Sequence, residues 1–266
     1  MYEPGPLEPE SRVLVVGDLH ANTGAALGVI DHAAARGARV ILQAGDFGWW
    51  PREEHGRAYL RKVEKRLAMW GLELWWIDGN HEDFPSLAQR PIGPDGRRQV
   101  DEHLWHLPRG FRWRWNHSTW VAVGGAVSMD KAYRIEGKDW FADEELTSEE
   151  AEQIVGDGPA DIVLSHDAPI GVPYLRQELG QDLPAWRRDT PWPTGRLMRA
   201  DEHQRLVRAV VDGTQATKVF HGHHHARYTD TLATVHGPVA IVGLGMDRDP
   251  LVARCVLATS DGDPVG

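Results

Sequence analysis

Arg12–His20, RVLVVGDLH, is an apolar run that stops at a glycine and hands over to an aspartate and a histidine. Val13, Leu14, Val15 and Val16 in succession suit a strand buried on both faces. A helix is predicted next: Asn22 or Thr23 can cap it, Ala25, Ala26, Ile30 and Ala33–Ala35 are good helix formers, and Gly37 ends it. Two more units of the same kind follow. Arg39–Ala44 (RVILQA) predicts a strand ending at Gly45-Asp46, and Arg52–Met69 a helix stopped by Gly71. Leu72–Ile77 (LELWWI) predicts a third strand, finished by Asp78-Gly79-Asn80-His81-Glu82. Strand, polar loop and helix in series indicate an α/β sheet with parallel neighbours. The polar residues recur at the carboxyl ends of the strands, the edge where such sheets bind ligands.

Beyond Phe84 the pattern changes. Phe84–Gly110 reads as loop with one short strand near His103–Leu107, and Phe111–Val123 as a hairpin turning at Asn116–Ser118. A helix is expected from Thr147, a buried strand over Asp161–Ser165 with His166 and Asp167 at its end, and another helix over Ala200–Val211. Ile170–Arg199 has little periodicity, and a loop of that length is uncommon unless it covers a site, so residues 170–199 are a candidate lid. Thr217–Tyr228, TKVFHGHHHARY, reads as a strand followed by a histidine cluster. Strand alternation would put His223 and His225 on one side and His221 and His224 on the other. Thr229–Val235, Val239–Leu244 and Leu251–Thr259 are expected as antiparallel strands completing a second sheet. The domain reading is a flexible lead over 1–11 and a single domain over 12–266.

Composition narrows the function. The 266 residues are 41% hydrophobic and 26% charged, ordinary for a globular protein. A net charge of -10 argues against a broad grip on nucleic acid or an anionic membrane. Cys255 is the only cysteine, so an intrachain disulfide is excluded. With no long apolar segment and no signal-peptide pattern, the expected location is cytoplasmic. There are 12 Trp against 5 Phe and 5 Tyr, an excess that predicts a tryptophan-rich core. Trp49 and Trp50, directly after Asp46, could instead stack a nucleobase.

Five strand ends thus offer Asp18 and His20; Asp46; Asn80, His81 and Glu82; His166; and His223 with His225. Carboxylate, imidazole and amide oxygen together suit divalent Mn, Fe, Zn or Co. Apart from His81 and Glu82, the seven candidate ligands are too many for one ion and fit two sharing a carboxylate. Two ions ~4 Å apart can clamp an in-line displacement at phosphorus and supply hydroxide near neutral pH.

The ordered set Gly17-Asp18-Leu19-His20, Gly45-Asp46, Gly79-Asn80-His81-Glu82, His166 and Gly222-His223-His224-His225 resembles the calcineurin-like metallophosphoesterase superfamily over about Arg12 to Gly245. The resemblance implies two facing mixed β-sheets flanked by helices. It implies one ion on Asp18, His20 and His225, a second on Asn80, His166 and His223, and Asp46 bridging them, with Mn foremost and Fe, Zn, Co or Ni as further candidates. His81 would be the general acid or a phosphate contact. The protein Ser/Thr phosphatases of the superfamily carry an Asp-Arg pair after the second motif. Here Phe47-Gly48-Trp49-Trp50 follow Asp46, which disfavours that activity. Gly124–Asp130 with Arg134 looks like a segment of small bacterial and phage-type phosphoesterases. The expectation is hydrolysis of a small phosphodiester, cyclic nucleotides included, by a metal-bridging hydroxide. A phosphomonoesterase or nuclease is the alternative, and a non-catalytic scaffold a further one. Arg134, Lys131, Arg112 and Arg114 are candidate phosphate grips. Glu82 is expected to be structural, and Asp167 to orient a ligand histidine. No membrane partner is expected, and the sequence is silent on oligomeric state.

Overall fold

A computed structural model of the chain describes residues 1–3 and 12–265. The predicted units open it: β1 (Arg12–Val16), α1 (Thr23–Ala35), β2 (Ala38–Gln43), α2 (Glu54–Trp70) and β3 (Glu73–Trp76). Asn22 caps α1 by accepting from the Ala25 amide at 3.2 Å, and α2 ends at Gly71, whose φ of 63° is left-handed. The expected loop after Phe84 holds α3 (Phe84–Ala88) and two short strands, β4 (Arg98–Gln99) and β5 (Leu104–His106). Two- and three-residue strands are too short to carry a readable period. The hairpin is β6 (Arg112–Trp115) and β7 (Ser118–Val123). α4 (Ser148–Gly156) starts from a Thr147–Glu150 capping box, and β8 (Ile162–Ser165) follows.

Ile170–Arg199 is not one structureless loop. It contains α5 (Pro173–Glu178), and α6 (Thr194–Thr214) begins before Ala200 because the chain turns helical directly after Pro193. Next come β9 (Lys218–His221), β10 (Tyr228–Thr234) and β11 (Gly237–Gly243), then α7 (Leu251–Arg254) and β12 (Cys255–Thr259). Leu251–Arg254 is therefore a helical turn. β12 does not finish the second sheet: it pairs antiparallel with β1 in the first, Arg12 opposite Thr259 and Val16 opposite Cys255.

Each sheet has six strands, ordered β12-β1-β2-β3-β5-β4 and β10-β11-β9-β8-β7-β6. In both, four parallel strands lie in the middle and an antiparallel strand closes each edge. β11, expected to be antiparallel throughout, runs parallel to β9. The architecture is α/β, two facing mixed sheets flanked by helices.

Strand alternation builds the layers. Val13 and Val15 of β1, Val40 and Leu42 of β2, and Ile162 and Leu164 of β8 meet between the sheets. Leu14, Val16 and Ile41 face α1 and α2, while Val163 and Val219 face α4 and α6. The tryptophan excess fills the middle layer. Trp75 stacks on Trp115 at 5.2 Å, Trp113 on Trp120 at 5.6 Å, and Trp120 on Phe220 at 5.7 Å. The expected lead over 1–11 lies mostly outside the described residues. Tyr2, which is described, is tied down: it bridges to Trp113, its hydroxyl accepts from Arg97 at 2.9 Å, and its ring lies against Trp75 and Phe111. Among the described residues no helix is long and apolar enough to cross a membrane.

A buried charge cluster fastens the two sheets beside the third strand end. Asp78 is 3% exposed and accepts from Arg109 Nε at 2.9 Å, with His106 Nε2 3.3 Å away; Arg109 reaches on to Glu150 at 3.1 Å. Burial raises the Asp78 carboxyl, but the Arg109 charge and the His106 contact outweigh it and hold it below the ordinary range. A carboxyl depressed in the folded state stabilises fully above its unfolded value, ~3.9, and that contribution fades as pH falls through the window below. Asp78→Asn leaves Arg109 partly unpaired and is expected to cost about 3 kcal/mol at neutral pH. The gap in urea midpoint between wild type and variant should begin to narrow as pH falls below about 4 toward 3; a constant gap would refute the linkage.

Candidate metal centre

The carboxyl ends of β1, β2, β3, β8 and β9 meet at one rim of the sandwich. Asp18 and Asp46 lie at its bottom, 0% and 1% exposed. One oxygen of each is held by backbone: the His223 amide donates to Asp18 Oδ1 at 3.0 Å, and the His81 amide to Asp46 Oδ1 at 2.7 Å. The glycines of the motifs permit this approach. A Cβ at Gly79 would overlap Asp46 Oδ1, and one at Gly222 would overlap Asp18 Oδ1.

The second oxygens face imidazoles. Asp46 Oδ2 is 3.3 Å from His20 Nε2 and 4.0 Å from His81 Nε2, while His166 Nε2 lies 3.5 Å from Oδ1. Asp18 Oδ2 is 3.0 Å from His225 Nε2 and 3.9 Å from His20 Nε2, although no N–H is aligned on it as a hydrogen bond. The donor atoms of Asp18, His20 and His225 lie within 4.8 Å of one another, as do those of His20, Asp46 and His81 and those of Asp18, Asp46 and His166. Asn80 Oδ1 is 3.0 Å from His166 Nε2, and the His223 ring packs on His166 with centroids 5.1 Å apart.

These residues fit a divalent cation pair. Oxygen and imidazole donors converge, and Asp46 has rings on both flanks. His166 Nδ1 donates to the Ala44 carbonyl at 2.8 Å, which leaves Nε2 aimed at the centre. Burial opposes charge on the rings, yet Asp46 holds His20 up to about 10 and His166 up to about 9. Protons and metal ions are thus alternative ways to neutralise the same buried carboxylates.

The route by which His223 and His225 arrive differs from the expectation. β9 stops at His221, and His223 and His225 have φ of 62° and 52°. The left-handed backbone sends the two rings apart, His223 toward His166 and His225 to within 5.1 Å of His20. His221 turns away from them as expected and contacts the Tyr228 hydroxyl at 2.5 Å, whereas His224, bonded to Asp167 at 2.9 Å, packs its ring 5.1 Å from that of His223 and lines the same cleft. Asp167 orients His224 and His203 rather than any of the seven.

Other expectations sort themselves by contact. Glu82 is structural: it accepts from the Phe47, Gly48 and Trp49 amides and pins the loop after Asp46. Trp49 is 2% exposed and packs on Trp76, and Trp50 lies outside the cleft, so neither offers a base platform. Arg112 binds the carbonyls of Ile154, Gly158 and Pro159 below α4, Arg114 bonds the Asn116 carbonyl in the hairpin, and Lys131 sits on Trp140. Arg134 is occupied by Asp130 at 2.9 Å and by the Asp139 carbonyl, and its Nη2 rests 2.6 Å from His81 Nδ1.

Two contributors, Asp247 and Ser128, had no role in the sequence reading. Asp247 lies 3.0 Å from His20 Nδ1 and accepts from Asn22 at 2.7 Å. Ser128 Oγ accepts from Asn80 Nδ2 at 3.0 Å and donates to Glu144 at 2.6 Å, fixing the amide so that its oxygen faces His166. A signal existed: Ser128 follows β7 and Asp247 follows β11, which are further parallel strands ending at the same rim.

A family model for calcineurin-like phosphoesterases matches residues 11–227. The chain belongs to the calcineurin-like phosphoesterase family. Among solved structures it is similar to TT1561 of Thermus thermophilus, with TM-score 0.53 and 13% identity over 94% of this chain and 99% of that one. It is also similar to a dimetal phosphatase from Danio rerio, with TM-score 0.55 and 11% identity over 95% of this chain and 93% of that one. At such identities the likeness is one of fold. No curated protein matches the sequence significantly. Membership makes this calcineurin-like phosphoesterase a metal-dependent phosphoric ester hydrolase, and the clustered donors agree with the family's dinuclear divalent centre.

Ser128→Ala frees the Asn80 amide to rotate. Calorimetric titration with Mn should then show about tenfold weaker binding of one ion while the other is retained, with little change in the melting of the apo protein. Equal weakening of both ions would refute the positioning role.

Proposed function

We propose that this calcineurin-like phosphoesterase is a phosphodiesterase acting on small diesters, cyclic nucleotides among the candidates, with Mn as its preferred metal. Asp18, His20 and His225 would hold one cation, Asn80, His166 and His223 the other, and Asp46 would be shared. When bound, such a pair neutralises charge at phosphorus and activates water near neutral pH.

The chain's own residues supply the remainder. Backbone amides fix the carboxylates, and Ala44 and Ser128 fix His166 and Asn80. His81 stands at the mouth, its side chain 34% exposed. Burial lowers its proton affinity, Asp46 restores part of it, and the Arg134 charge lowers it again, for a net fall. A ring so placed suits donation of a proton to the departing oxygen. Arg134 would act on the substrate through His81, by orienting it.

The observation that carries the diester reading is a shortage of free cations. Of the described residues lining the cleft, only Arg188 and Arg248 are basic apart from histidines, and Arg188 is clamped by Asp201. A monoester dianion calls for more positive charge than that, whereas a diester carries one negative charge.

With Mn, bis(4-nitrophenyl) phosphate should be hydrolysed faster than 4-nitrophenyl phosphate, and chelator should abolish both activities. A monoester preference would sink the diester reading. Asp46→Ala should reduce turnover by at least ~100-fold and impair loading of both ions, read by metal analysis. His81→Ala should keep its metal and lose ~100-fold in kcat, most with poor leaving groups; an equal loss for all leaving groups would refute the acid role.

A further inference from the structure

The cleft above these residues has a volume of about 1270 Å³, far more than a phosphate needs, and its upper wall differs in chemistry from its floor. The floor is imidazole, carboxylate and amide. The wall comes from the segment between α5 and α6 and the first turns of α6, through Leu179, Leu183, Pro191, Trp192 and Leu197. Leu179, Leu183 and Trp192 keep 38%, 43% and 37% of their surface open. Large apolar side chains held open inside a concavity mark a place where an apolar group docks.

Charge narrows the choice. Glu178 and Asp189 line the same wall, and neither has a hydrogen-bonding or ion-pair partner among the described residues. They repel a ligand bearing further phosphates or carboxylates. Arg248, the one unpaired guanidinium among the described residues of the cleft, follows Asp247, whose carboxylate lies beside His20, and is the one free cation there for a single negative charge.

We infer that the cleft takes a singly charged phosphodiester carrying a planar aromatic group, with Trp192 as the stacking platform and Leu183 beside it. This rests on the phosphodiesterase reading and adds the class of its substrate. Trp192 is then a specificity-determining residue: it touches the organic group and leaves the reacting atoms to the floor.

The test compares 2-phenylethyl, 2-cyclohexylethyl and ethyl 2,2,2-trifluoroethyl phosphate, which share charge, a non-aromatic leaving group and intrinsic reactivity, with release of trifluoroethanol as the readout. In the Mn-loaded enzyme the phenylethyl ester should exceed the ethyl ester about tenfold in kcat/KM, chiefly through KM, with the cyclohexylethyl ester in between. Trp192→Ala should bring the phenylethyl ester down to the level of the ethyl ester, chiefly by raising its KM, with metal content unchanged. In a parallel calorimetric measurement, methyl phenylphosphonate should bind the wild type more tightly than methyl methylphosphonate, both singly charged, and the difference should vanish in Trp192→Ala. Equal turnover of phenylethyl and ethyl esters, or a preference that survives Trp192→Ala, overturns the assignment and leaves the phosphodiesterase standing. Equal rates for phenyl and cyclohexyl overturn the aromatic claim. Failure to hydrolyse any of the three with Mn removes the phosphodiesterase reading and this inference with it.

Discussion

Everything at the rim is arranged around the Asp46 carboxylate, a negative group with almost no access to water. Its carbonyl accepts the Leu19 and His20 amides, its side chain accepts the His81 amide, and His20 and His166 flank it. Four strand ends are thereby tied to one residue. An uncompensated carboxylate at that depth would be prohibitive, so the surrounding positive charge is a condition of the fold as well as of the chemistry. The same burial that makes the carboxylates costly would make them strong ligands, because a cation that reached them would meet little competition from water.

The sandwich brings the strand ends together by simple means. Parallel strands in both sheets end at the same rim, so each βα connection delivers its first few residues there. The alternating apolar residues of β1, β2, β8 and β9 place half their side chains between the sheets and half under the helices, which locks the registers that align those ends. The Asp78–Arg109–Glu150 cluster adds a polar fastening next to Asn80.

Much of this was legible in the sequence, for identifiable reasons. The first three strand–helix units carry clear periods, caps and glycine stops, and their bounds agree with the structure to within a few residues. The polar residues after β1, β2, β3, β8 and β9 are where the sequence put them, and all gather at one rim. What could not be read depends on pairing. The alternation of Cys255–Thr259 fits either sheet, and only its partner, β1, decides. β7 and β11 look like arms of hairpins, yet each has a parallel neighbour on its other side. That is why Ser128 and Asp247, at the ends of those two strands, had no visible role. The histidine cluster misled through its backbone: an extended chain would have kept His223 and His225 together, whereas left-handed turns part them.

Those turns extend beyond the histidine cluster. His20, Asp46, His223 and His225 all have positive φ, between 45° and 62°. A side chain in that region costs on the order of 1 kcal/mol, and glycine would occupy it almost freely. Four such residues packed into one rim mean that the surrounding structure holds these side chains in place against a local backbone cost. Replacing any of them by glycine would relax the backbone and remove a polar atom from the rim in the same stroke, so under the proposed metal assignment sturdiness and catalysis pull in opposite directions at these positions.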